Sequence, residues 1–232
     1  MIDFSSRAFI FDMDGTLVDN MYVHTDAWQR LLWENGVEME THRFLVATAG
    51  KTDREILPTV FGDISEERIT ELADRKQSLY REAYLPNRKP VAGLIEFLTE
   101  SQELGIKMAV ATASAIPNME FILDGLDLRR FFDAVTTASD VKTGKPDPAM
   151  FLVSAQKLGI EPENCIVFED AFGGFEAAHR AGMVSIGIAT VNSIEDILKR
   201  DSVVEAHNDF RKLQPQLLIA KYLPYREGGR NL

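Results

Sequence analysis

Short apolar runs that alternate with helix-length segments constrain the fold of this chain more than any other feature. Five runs have the length of buried strands: residues 8–11, 108–111, 134–135, 165–168 and 184–188. Segments with helical spacing lie between the later runs, at residues 119–126, 149–158 and 172–181. Strands that alternate with helices pair in parallel and carry helices on both faces of the sheet. The sequence therefore predicts an α/β fold with a doubly wound parallel sheet.

The interval between the first two predicted strands is far longer than one crossover helix requires. Apolar residues recur with helical spacing inside it, at residues 23–32 and again at residues 69–83. The pattern therefore predicts a helical segment inserted after the first strand. We predict an α/β core of residues 1–19 and 86–232, with a helical cap of residues 20–85.

The charge and cysteine content exclude several classes of function. The 232 residues include 25 Lys and Arg against 36 Asp and Glu, which gives a net charge of −11. Nucleic acids and anionic membrane surfaces are bound by clustered cations, so we expect neither as a partner. No apolar segment reaches the length of a membrane span, and the amino terminus lacks a signal-peptide pattern. Cys165 is the only cysteine, which fits a cytoplasmic protein.

Two acidic residues, Asp12 and Asp14, follow directly on the first predicted strand. The carboxyl end of a strand is where open α/β sheets bind ligands. Asp and Gly also form ordinary turns that have no function, and residues 12–16 could be such a turn. However, two carboxylates one residue apart repel each other unless they share a cation or a proton. This repulsion favours a functional site.

The second predicted strand ends in Thr112, Ala113 and Ser114, which offer hydroxyl and backbone N–H groups at the same edge of the sheet. Taken alone, this segment is typical of a helix N-cap. Lys145 lies further along the chain, in a loop of residues 143–148 that is stiffened by two prolines and a glycine. Such stiffness is unusual around a solvated lysine, although a surface lysine at a helix start is an equal alternative for this loop by itself.

Glu169 and Asp170 follow the fourth predicted strand and bring two more carboxylates to this edge. Four acids, a threonine and a lysine would therefore gather around one crevice. Carboxylates at that density require a hard cation, and Mg²⁺ held by oxygen ligands is the expected cofactor. A cation beside a carboxylate nucleophile, hydroxyl donors and an ammonium is the set of groups that phosphoryl transfer requires.

Two polar residues stand out in the predicted cap. Lys76 interrupts the apolar stripe of residues 69–83, where its ammonium must either extend to solvent or meet an anion. His24 lies on the first cap helix and fits a buried structural histidine and a proton carrier equally well. We interpret Trp28 and Trp33 as packing residues.

These residues together resemble the haloacid dehalogenase superfamily of phosphotransferases, and within it the β-phosphoglucomutase-like group. The likeness covers nearly the whole chain. It rests on motifs in the family's order: residues 12–19 (DMDGTLVD), Thr112, residues 144–148 (GKPDP) and residues 169–174 (EDAFGG). The resemblance implies a Rossmann-like core with an inserted α-helical cap that covers the site.

The resemblance also implies a role for each residue at the sheet edge. Asp12 would attack the phosphorus atom and form an aspartyl-phosphate. Asp14 would protonate the leaving oxygen and then activate the incoming hydroxyl. Thr112, the Ala113 amide and Lys145 would hold the transferring phosphoryl group.

The same resemblance implies the ligands of the Mg²⁺ ion. Asp12 and Asp170 would bind it through their carboxylates, and Asp14 through its backbone carbonyl. Glu169 is a further candidate ligand.

Substrate selection is assigned by the resemblance to His24, Lys76 and the segment of residues 50–55, which contains Arg54. Two features differ from the sugar-phosphate mutases. In those enzymes a substrate-contacting lysine follows the strand-end hydroxyls, whereas residues 115–118 here read AIPN. The spacing from Gly50 to Arg54 is also one residue longer than in the mutases. Both differences favour a hydrolase, whereas His24 and Lys76 match the mutases.

We therefore expect a Mg²⁺-dependent phosphohydrolase that acts on a small phosphorylated metabolite, such as a sugar phosphate, through an aspartyl-phosphate. A β-phosphoglucomutase that interconverts β-glucose 1-phosphate and glucose 6-phosphate is the alternative enzyme. Signalling receiver domains also place a phosphoacceptor Asp, a Thr and a Lys around Mg²⁺. A non-turnover phosphorylation switch needs neither the second acid, Asp14, nor a helical lid, and this favours an enzyme.

Overall fold

The computed structural model describes residues 4–40, Phe44 and residues 52–224. The chain divides into two compact units. The sheet unit is Met1–Asp19 with Pro90–Leu232, and the helical unit is Asn20–Lys89. The helical unit is therefore inserted in the chain directly after the first strand.

The sheet unit contains a six-stranded sheet with the order β3-β2-β1-β4-β5-β6. Its strands are β1 Ala8–Phe11, β2 Lys107–Ala111, β3 Ala134–Thr136, β4 Cys165–Glu169, β5 Val184–Ile188 and β6 Val203–His207. All neighbouring strands are parallel. The chain proceeds from β1 outward to β3, then returns to β4 on the other side of β1. This confirms the predicted doubly wound sheet and places its switch point between β1 and β4.

Nine α-helices occur in the described parts of the chain. They are α1 Met21–Glu34, α2 Asp53–Phe61, α3 Glu66–Tyr84, α4 Leu94–Glu103, α5 Ile116–Leu123, α6 Ala149–Leu158, α7 Phe172–Arg180, α8 Ile194–Ile197 and α9 Pro215–Tyr222. The first three belong to the helical unit and the others to the sheet unit. None of the helices in these described segments has the length and apolar character needed to cross a membrane.

The two faces of the sheet are buried by different side chains because successive residues of a strand point to opposite faces. One face carries an aromatic cluster that consists of Phe9, Phe11, Phe97, Phe168 and Phe210. The rings of Phe11 and Phe168, on neighbouring strands, stack at a centroid separation of 4.6 Å. On the other face, Ile10 and Val167 pack with Phe151 of α6. The sheet is therefore held rigidly at the point where β1 and β4 end.

One strand differs from the sequence predictions. Strand β6 was absent from the predicted runs because all five of its residues are only half-buried at the sheet edge, so it lacks a continuous apolar run. Helix α6 spans Ala149–Leu158, as its helical spacing predicts. The Asp147 side chain accepts a hydrogen bond from the Ala149 amide at 2.9 Å, which orders the turn before this helix.

The helical unit is built on the packing of α1 against α3. Each of the two helices buries an apolar stripe, formed by Val23, Ala27, Leu31 and Leu32 of α1 and by Ile69, Leu72 and Leu79 of α3. Trp28 is buried as well and lies 5.4 Å from the ring of Phe44. Trp33 is 76% exposed, so its interpretation as a packing residue was wrong. Trp33 lies near the end of α1, away from the stripe that contacts α3.

The helical unit extends to Lys89, four residues past the predicted end of the cap at residue 85. A 3₁₀ helix, Leu85–Asn87, continues directly from α3. The Tyr84 hydroxyl donates to the Lys89 carbonyl oxygen at 3.4 Å, which keeps this segment against the end of α3. Pro86 therefore lies inside a tighter helical turn that begins at Leu85, and the sheet unit resumes only at Pro90.

Candidate active site

Strands β1 and β4 deliver three carboxylates to the switch point of the sheet. Phe11 pairs with Phe168, and the Asp12 amide extends the ladder by donating to the Phe168 carbonyl at 2.9 Å. This register places Asp12 beside Glu169 and Asp170 at the ends of neighbouring strands. All three side chains are buried, and each offers an oxygen within 4.8 Å of the others. We refer to Asp12, Glu169 and Asp170 as the acid triad.

The acid triad fits a hard divalent cation. Three buried carboxylates that converge on one point supply the oxygen ligands that Mg²⁺ prefers. The space around them is kept open by two glycines. A Cβ atom on Gly15, whose φ is +93°, would collide with the Asp170 carboxylate, and a Cβ atom on Gly174 would collide with the Glu169 side chain. The glycines of both sequence motifs are thus required for the carboxylates to occupy these positions.

Lys145 is the cation that the chain itself brings to the acid triad. Its ammonium donates to Asp12 Oδ1 and, at 2.7 Å, to Glu169 Oε2. The same nitrogen lies 4.9 Å from the centre of the Phe151 ring. Only 12% of the Lys145 side chain is exposed. The stiff proline-containing loop therefore presents a buried lysine, and the alternative of an incidental surface lysine is excluded.

Burial and mutual repulsion dominate the electrostatics of this cluster. The pKa of Asp12 is raised to about 8, chiefly by burial; Lys145 acts in the opposite direction, and the charge of Glu169 adds to the rise. Burial likewise raises the pKa of Asp170 well above its usual value, with the charges of Glu169 and Asp12 adding to the effect. Burial opposes the charge of Lys145, but its carboxylate neighbours outweigh it, so the pKa of Lys145 is raised. One ammonium does not neutralise three carboxylates, and a divalent cation would complete the balance.

Asp14 lies outside the acid triad. Its side chain is half-buried, and its Oδ2 accepts a hydrogen bond of 2.5 Å from the Ser114 hydroxyl. The turn that carries Asp14 is closed by the Gly15 amide, which donates to the Val18 carbonyl at 2.8 Å. The predicted metal contact of Asp14 uses its backbone carbonyl and remains a prediction.

Thr112 and Ala113 follow β2, next to β1 in the sheet. The Thr112 amide donates to the Thr136 carbonyl at 2.9 Å, and its side chain is buried. Its Oγ1 accepts a hydrogen bond of 3.0 Å from the Ser114 amide. Ala113 is exposed. The segment is therefore more than a helix N-cap, because α5 begins only at Ile116 and has no side-chain cap.

Three residues that the sequence prediction missed hold the loops of the site in place. Thr16 donates from its hydroxyl to Asp170 Oδ1 at 3.3 Å. Thr190 donates to the Gly15 carbonyl at 2.5 Å, and Asn192 donates to the Asp170 carbonyl at 2.9 Å. Thr190 and Asn192 follow β5, so their position after a strand at the same sheet edge was the signal that could have identified them.

In the helical unit the structure brings His24 and Lys76 together. Lys76 Nζ lies 3.0 Å from His24 Nδ1 and 3.5 Å from Asp53 Oδ1. Only 3% of Lys76 is exposed, so its ammonium does not extend to solvent and meets polar groups inside the unit. The His24 ring stacks on Tyr80, with the centroids 3.9 Å apart and the planes 6° apart. This stacking fixes the orientation of the imidazole.

Arg54 lies apart from this pair. Its guanidinium contacts Glu66 and donates to Thr70 Oγ1 at 3.3 Å, and its side chain is 56% exposed. Within the same predicted segment, Thr52 and Glu55 form a capping box at the start of α2. Residues 50 and 51 lie outside the described residues. The described part of the segment thus has a clear structural role, and the selecting role of Arg54 remains a prediction.

Buried carboxylates that share one ammonium at the switch point of a parallel sheet are groups with which an α/β enzyme can bind a phosphoryl group and a divalent cation. A model of the haloacid dehalogenase-like hydrolases matches residues 6–182. The chain belongs to this family, as its motifs predicted.

Relatives and solved structures agree with this assignment. The chain is 34% identical to the fructose-1-phosphate phosphatase YqaB of Escherichia coli K12 over 77% of this chain and 94% of that protein. It is 29% identical to the validoxylamine A 7'-phosphate phosphatase of Streptomyces hygroscopicus subsp. limoneus over 88% and 96% of the two chains. A β-phosphoglucomutase from Clostridium difficile superposes with a TM-score of 0.79 at 30% identity, covering 96% and 98%. The protein is thus an enzyme of the phosphatase and phosphotransferase type.

Proposed function

We propose that this protein is a Mg²⁺-dependent phosphohydrolase of small phosphorylated metabolites, and that it works through an aspartyl-phosphate on Asp12. One observation supports this most strongly. Asp12 is held by the buried ammonium of Lys145 next to two further carboxylates, Glu169 and Asp170. A carboxylate in this setting is fixed in position and lies beside the charges that a transferring phosphoryl group requires.

The proposed reaction has two steps. In the first, an Asp12 carboxylate oxygen forms a bond to phosphorus while the bond to the ester oxygen breaks, and Asp14 gives that oxygen a proton. In the second, Asp14 takes a proton from water, which attacks the same phosphorus and releases phosphate and free Asp12. Lys145, the Thr112 hydroxyl and the Ala113 amide would bind the phosphoryl oxygens in both steps.

A Mg²⁺ ion would be held by the carboxylates of the acid triad and by the backbone carbonyl of Asp14. When bound, it would neutralise charge on the phosphoryl oxygens. The residues of the chain still have to orient the nucleophile, Asp12. Thr190 donates to the Gly15 carbonyl and Asn192 to the Asp170 carbonyl, and these hydrogen bonds hold the two loops that surround Asp12.

The proposed substrate is a phosphorylated sugar or a similar polyol phosphate. Named relatives of this chain act on such compounds: fructose 1-phosphate, validoxylamine A 7'-phosphate and phosphorylated carbohydrates. We propose His24 and Lys76 as the residues that select the part of the substrate that is not transferred. A buried ammonium has already lost most of its water, so a contact with a sugar hydroxyl would add little desolvation cost on the side of the lysine.

A β-phosphoglucomutase is the second candidate, and the His24–Lys76 contact favours it. Both residues match the mutase pattern, and a solved β-phosphoglucomutase is similar over almost the whole chain. The absence of a lysine in residues 115–118 favours the hydrolase instead. The two candidates differ in what attacks the aspartyl-phosphate, which is water in a hydrolase and a sugar hydroxyl in a mutase.

A substrate panel tests the proposal. Phosphate release from sugar phosphates, nucleotides and pyrophosphate is measured with Mg²⁺ and after exhaustive chelation. We expect the enzyme to hydrolyse at least one sugar phosphate with Mg²⁺ and to lose this activity after chelation. Conversion of β-glucose 1-phosphate to glucose 6-phosphate that exceeds phosphate release would instead identify the mutase.

Two substitutions test the assigned roles of the acids. Asp12→Asn should abolish turnover, because it removes the nucleophile and one metal ligand. Asp14→Asn should lower the rate by roughly 10²–10⁴-fold, because acid–base help is lost. Asp127→Asn is the matched control, since this aspartate is exposed and paired with Arg130. Turnover retained in Asp12→Asn would contradict the covalent mechanism.

A further inference from the structure

Ser114 connects two parts of the site that the proposed reaction uses separately. Its hydroxyl donates to Asp14 Oδ2 at 2.5 Å. Its backbone amide donates to Thr112 Oγ1 at 3.0 Å. One residue therefore contacts both the acid–base carboxylate and the hydroxyl that is proposed to bind the phosphoryl group.

The position of Ser114 is fixed by the strand that precedes it. Thr112 is buried, and its amide is bonded to the Thr136 carbonyl of β3 at 2.9 Å. Because the Ser114 amide is bonded in turn to Thr112 Oγ1, the serine is held two residues beyond the strand with little freedom. A carboxylate bonded to a fixed hydroxyl loses rotational freedom itself, and this lowers the entropic cost of presenting it to a substrate.

The same contacts also set the proton on Thr112. Thr112 Oγ1 accepts from the Ser114 amide, so its own proton remains to be donated to an anion. The Ser114 hydroxyl likewise directs its proton to Asp14 Oδ2. The loop after β2 therefore sets both the donor for the phosphoryl oxygen and the orientation of the acid.

We propose that Ser114 is a positioning residue that holds the Asp14 carboxylate in a fixed position relative to the phosphoryl group bound at Thr112. This inference rests on the proposed phosphohydrolase function. Ser114 acts through Asp14, so its contribution depends on how much the departing oxygen needs a proton. An alkoxide is a strong base and must be protonated as it leaves, whereas p-nitrophenolate is stable without a proton.

The test compares two esters in the parent enzyme and in Ser114→Ala. The first is the best sugar phosphate of the substrate panel and the second is p-nitrophenyl phosphate. The ratio kcat/KM reports the steps up to departure of the leaving group. We expect Ser114→Ala to lower kcat/KM about 10–10²-fold for the sugar phosphate and less than threefold for p-nitrophenyl phosphate. Ser114→Thr keeps the hydroxyl and should recover most of the loss.

A double-mutant cycle separates positioning from direct binding. If Ser114 acts through Asp14, then Ser114→Ala should cause little further loss in the Asp14→Asn background. Ser139→Ala is the control, because this serine lies in the loop after β3 and its hydroxyl contacts Thr137 instead. We expect parent-like kinetics for Ser139→Ala on both esters.

The outcomes are distinguishable. Equal losses on both esters, with an undiminished further loss in the Asp14→Asn background, would overturn the positioning role and assign Ser114 to phosphoryl binding. Parent-like kinetics for Ser114→Ala would overturn any role in the reaction. A parent enzyme that hydrolyses neither ester would overturn the proposed function, and this inference with it.

Discussion

Each unit of the protein buries a lysine, and the two lysines have different neighbours. Lys145 of the sheet unit is 12% exposed in its side chain and contacts the carboxylates of Asp12 and Glu169. Lys76 of the helical unit is 4% exposed in its side chain and contacts the imidazole of His24, with Asp53 at 3.5 Å. Both ammonium groups also lie near an aromatic ring, 4.9 Å and 5.3 Å from the centroids.

The difference lies in charge balance. Lys145 is outnumbered by the acid triad, so its ammonium stabilises negative charge that the sheet has forced together. The contacts of Lys76 include the carboxylate of Asp53 and the imidazole of His24, so its charge is more nearly balanced than that of the acid triad. A site with excess negative charge attracts a cation and performs charge-dependent chemistry, whereas a more balanced polar group would suit the neutral sugar part of the proposed substrate. We therefore expect loss of Lys145 to affect catalysis broadly and loss of Lys76 to affect selection.

Of the two lysines, the larger effect is expected from Lys145→Met, which keeps the apolar stem and removes the charge. Loss of a buried donor to the phosphoryl oxygens and to Asp12 should lower kcat/KM by about 10²–10³-fold for every substrate. Steady-state kinetics on two phosphate esters measures this. Lys107→Met is the control, because Lys107 is exposed and paired with Asp133. A decrease on only one substrate would contradict the assigned difference between the two lysines.

A smaller, substrate-dependent effect is expected from Lys76→Met and from His24→Ala. Each should lower kcat/KM for the best substrate by about 10–100-fold, which corresponds to about 1.4–3 kcal/mol of transition-state binding free energy. The loss on a poor substrate should be smaller, because a poor substrate gains less from this contact in the parent enzyme. Kinetics of both variants on a good and a poor substrate measures this. Parent-like kcat/KM values for both variants on both substrates would show that Lys76 and His24 have only a structural role.

The third prediction concerns Mg²⁺ and the acid triad. The folded-state pKa of Asp12, about 8, lies above its ordinary value of 3.8. The folded protein therefore keeps a proton that the unfolded chain has lost, and metal-free stability falls as the pH rises from about 4 to 8. Mg²⁺ competes with this proton, so it should raise Tm by several degrees at pH 8 and by less at pH 6.

Thermal unfolding with and without Mg²⁺ at the two pH values checks this prediction. Asp170→Asn should reduce the gain, because it removes one carboxylate of the triad. An equal gain in the parent and in Asp170→Asn at pH 8 would show that the ion binds elsewhere.

The smallest effect is expected at Glu205, which pairs with the exposed Lys221 at 2.7 Å. Burial alone would raise the pKa of Glu205, but hydrogen bonds from Lys221, Tyr222 and His207 outweigh it and lower the pKa to about 2. A lowered carboxylate pKa stabilises the fold above the unfolded pKa, and this stability is lost as the pH falls toward 2. Glu205→Gln should therefore cost roughly 1 kcal/mol or less at pH 7.

Urea unfolding of the parent and of Glu205→Gln measures this difference. The two proteins should approach equal stability between about pH 5 and about pH 2. A difference that persists in acid would mean that Glu205 acts through packing, unlike the charge-dependent role of Lys145.

The motifs at the strand ends were visible in the sequence because their positions follow from backbone pattern. Parallel strands place their carboxyl ends at one edge, so the order of Asp12, Thr112 and Glu169 after their strands predicted that they would be neighbours. Strand β6 escaped prediction because an edge strand need not be continuously apolar. Thr190 and Asn192 escaped because hydroxyl and amide side chains after a strand have no distinctive pattern of their own.

The class of fold could be predicted from the sequence, because periodicity within each segment and the order of segments along the chain can be read without a structure. Which partner each polar side chain takes was visible only after folding. The tertiary structure paired Lys76 with His24 and Arg54 with Glu66, and it linked Ser114 to Asp14. These pairings depend on distances of a few ångströms between segments remote in the chain, which packing fixes and residue spacing does not.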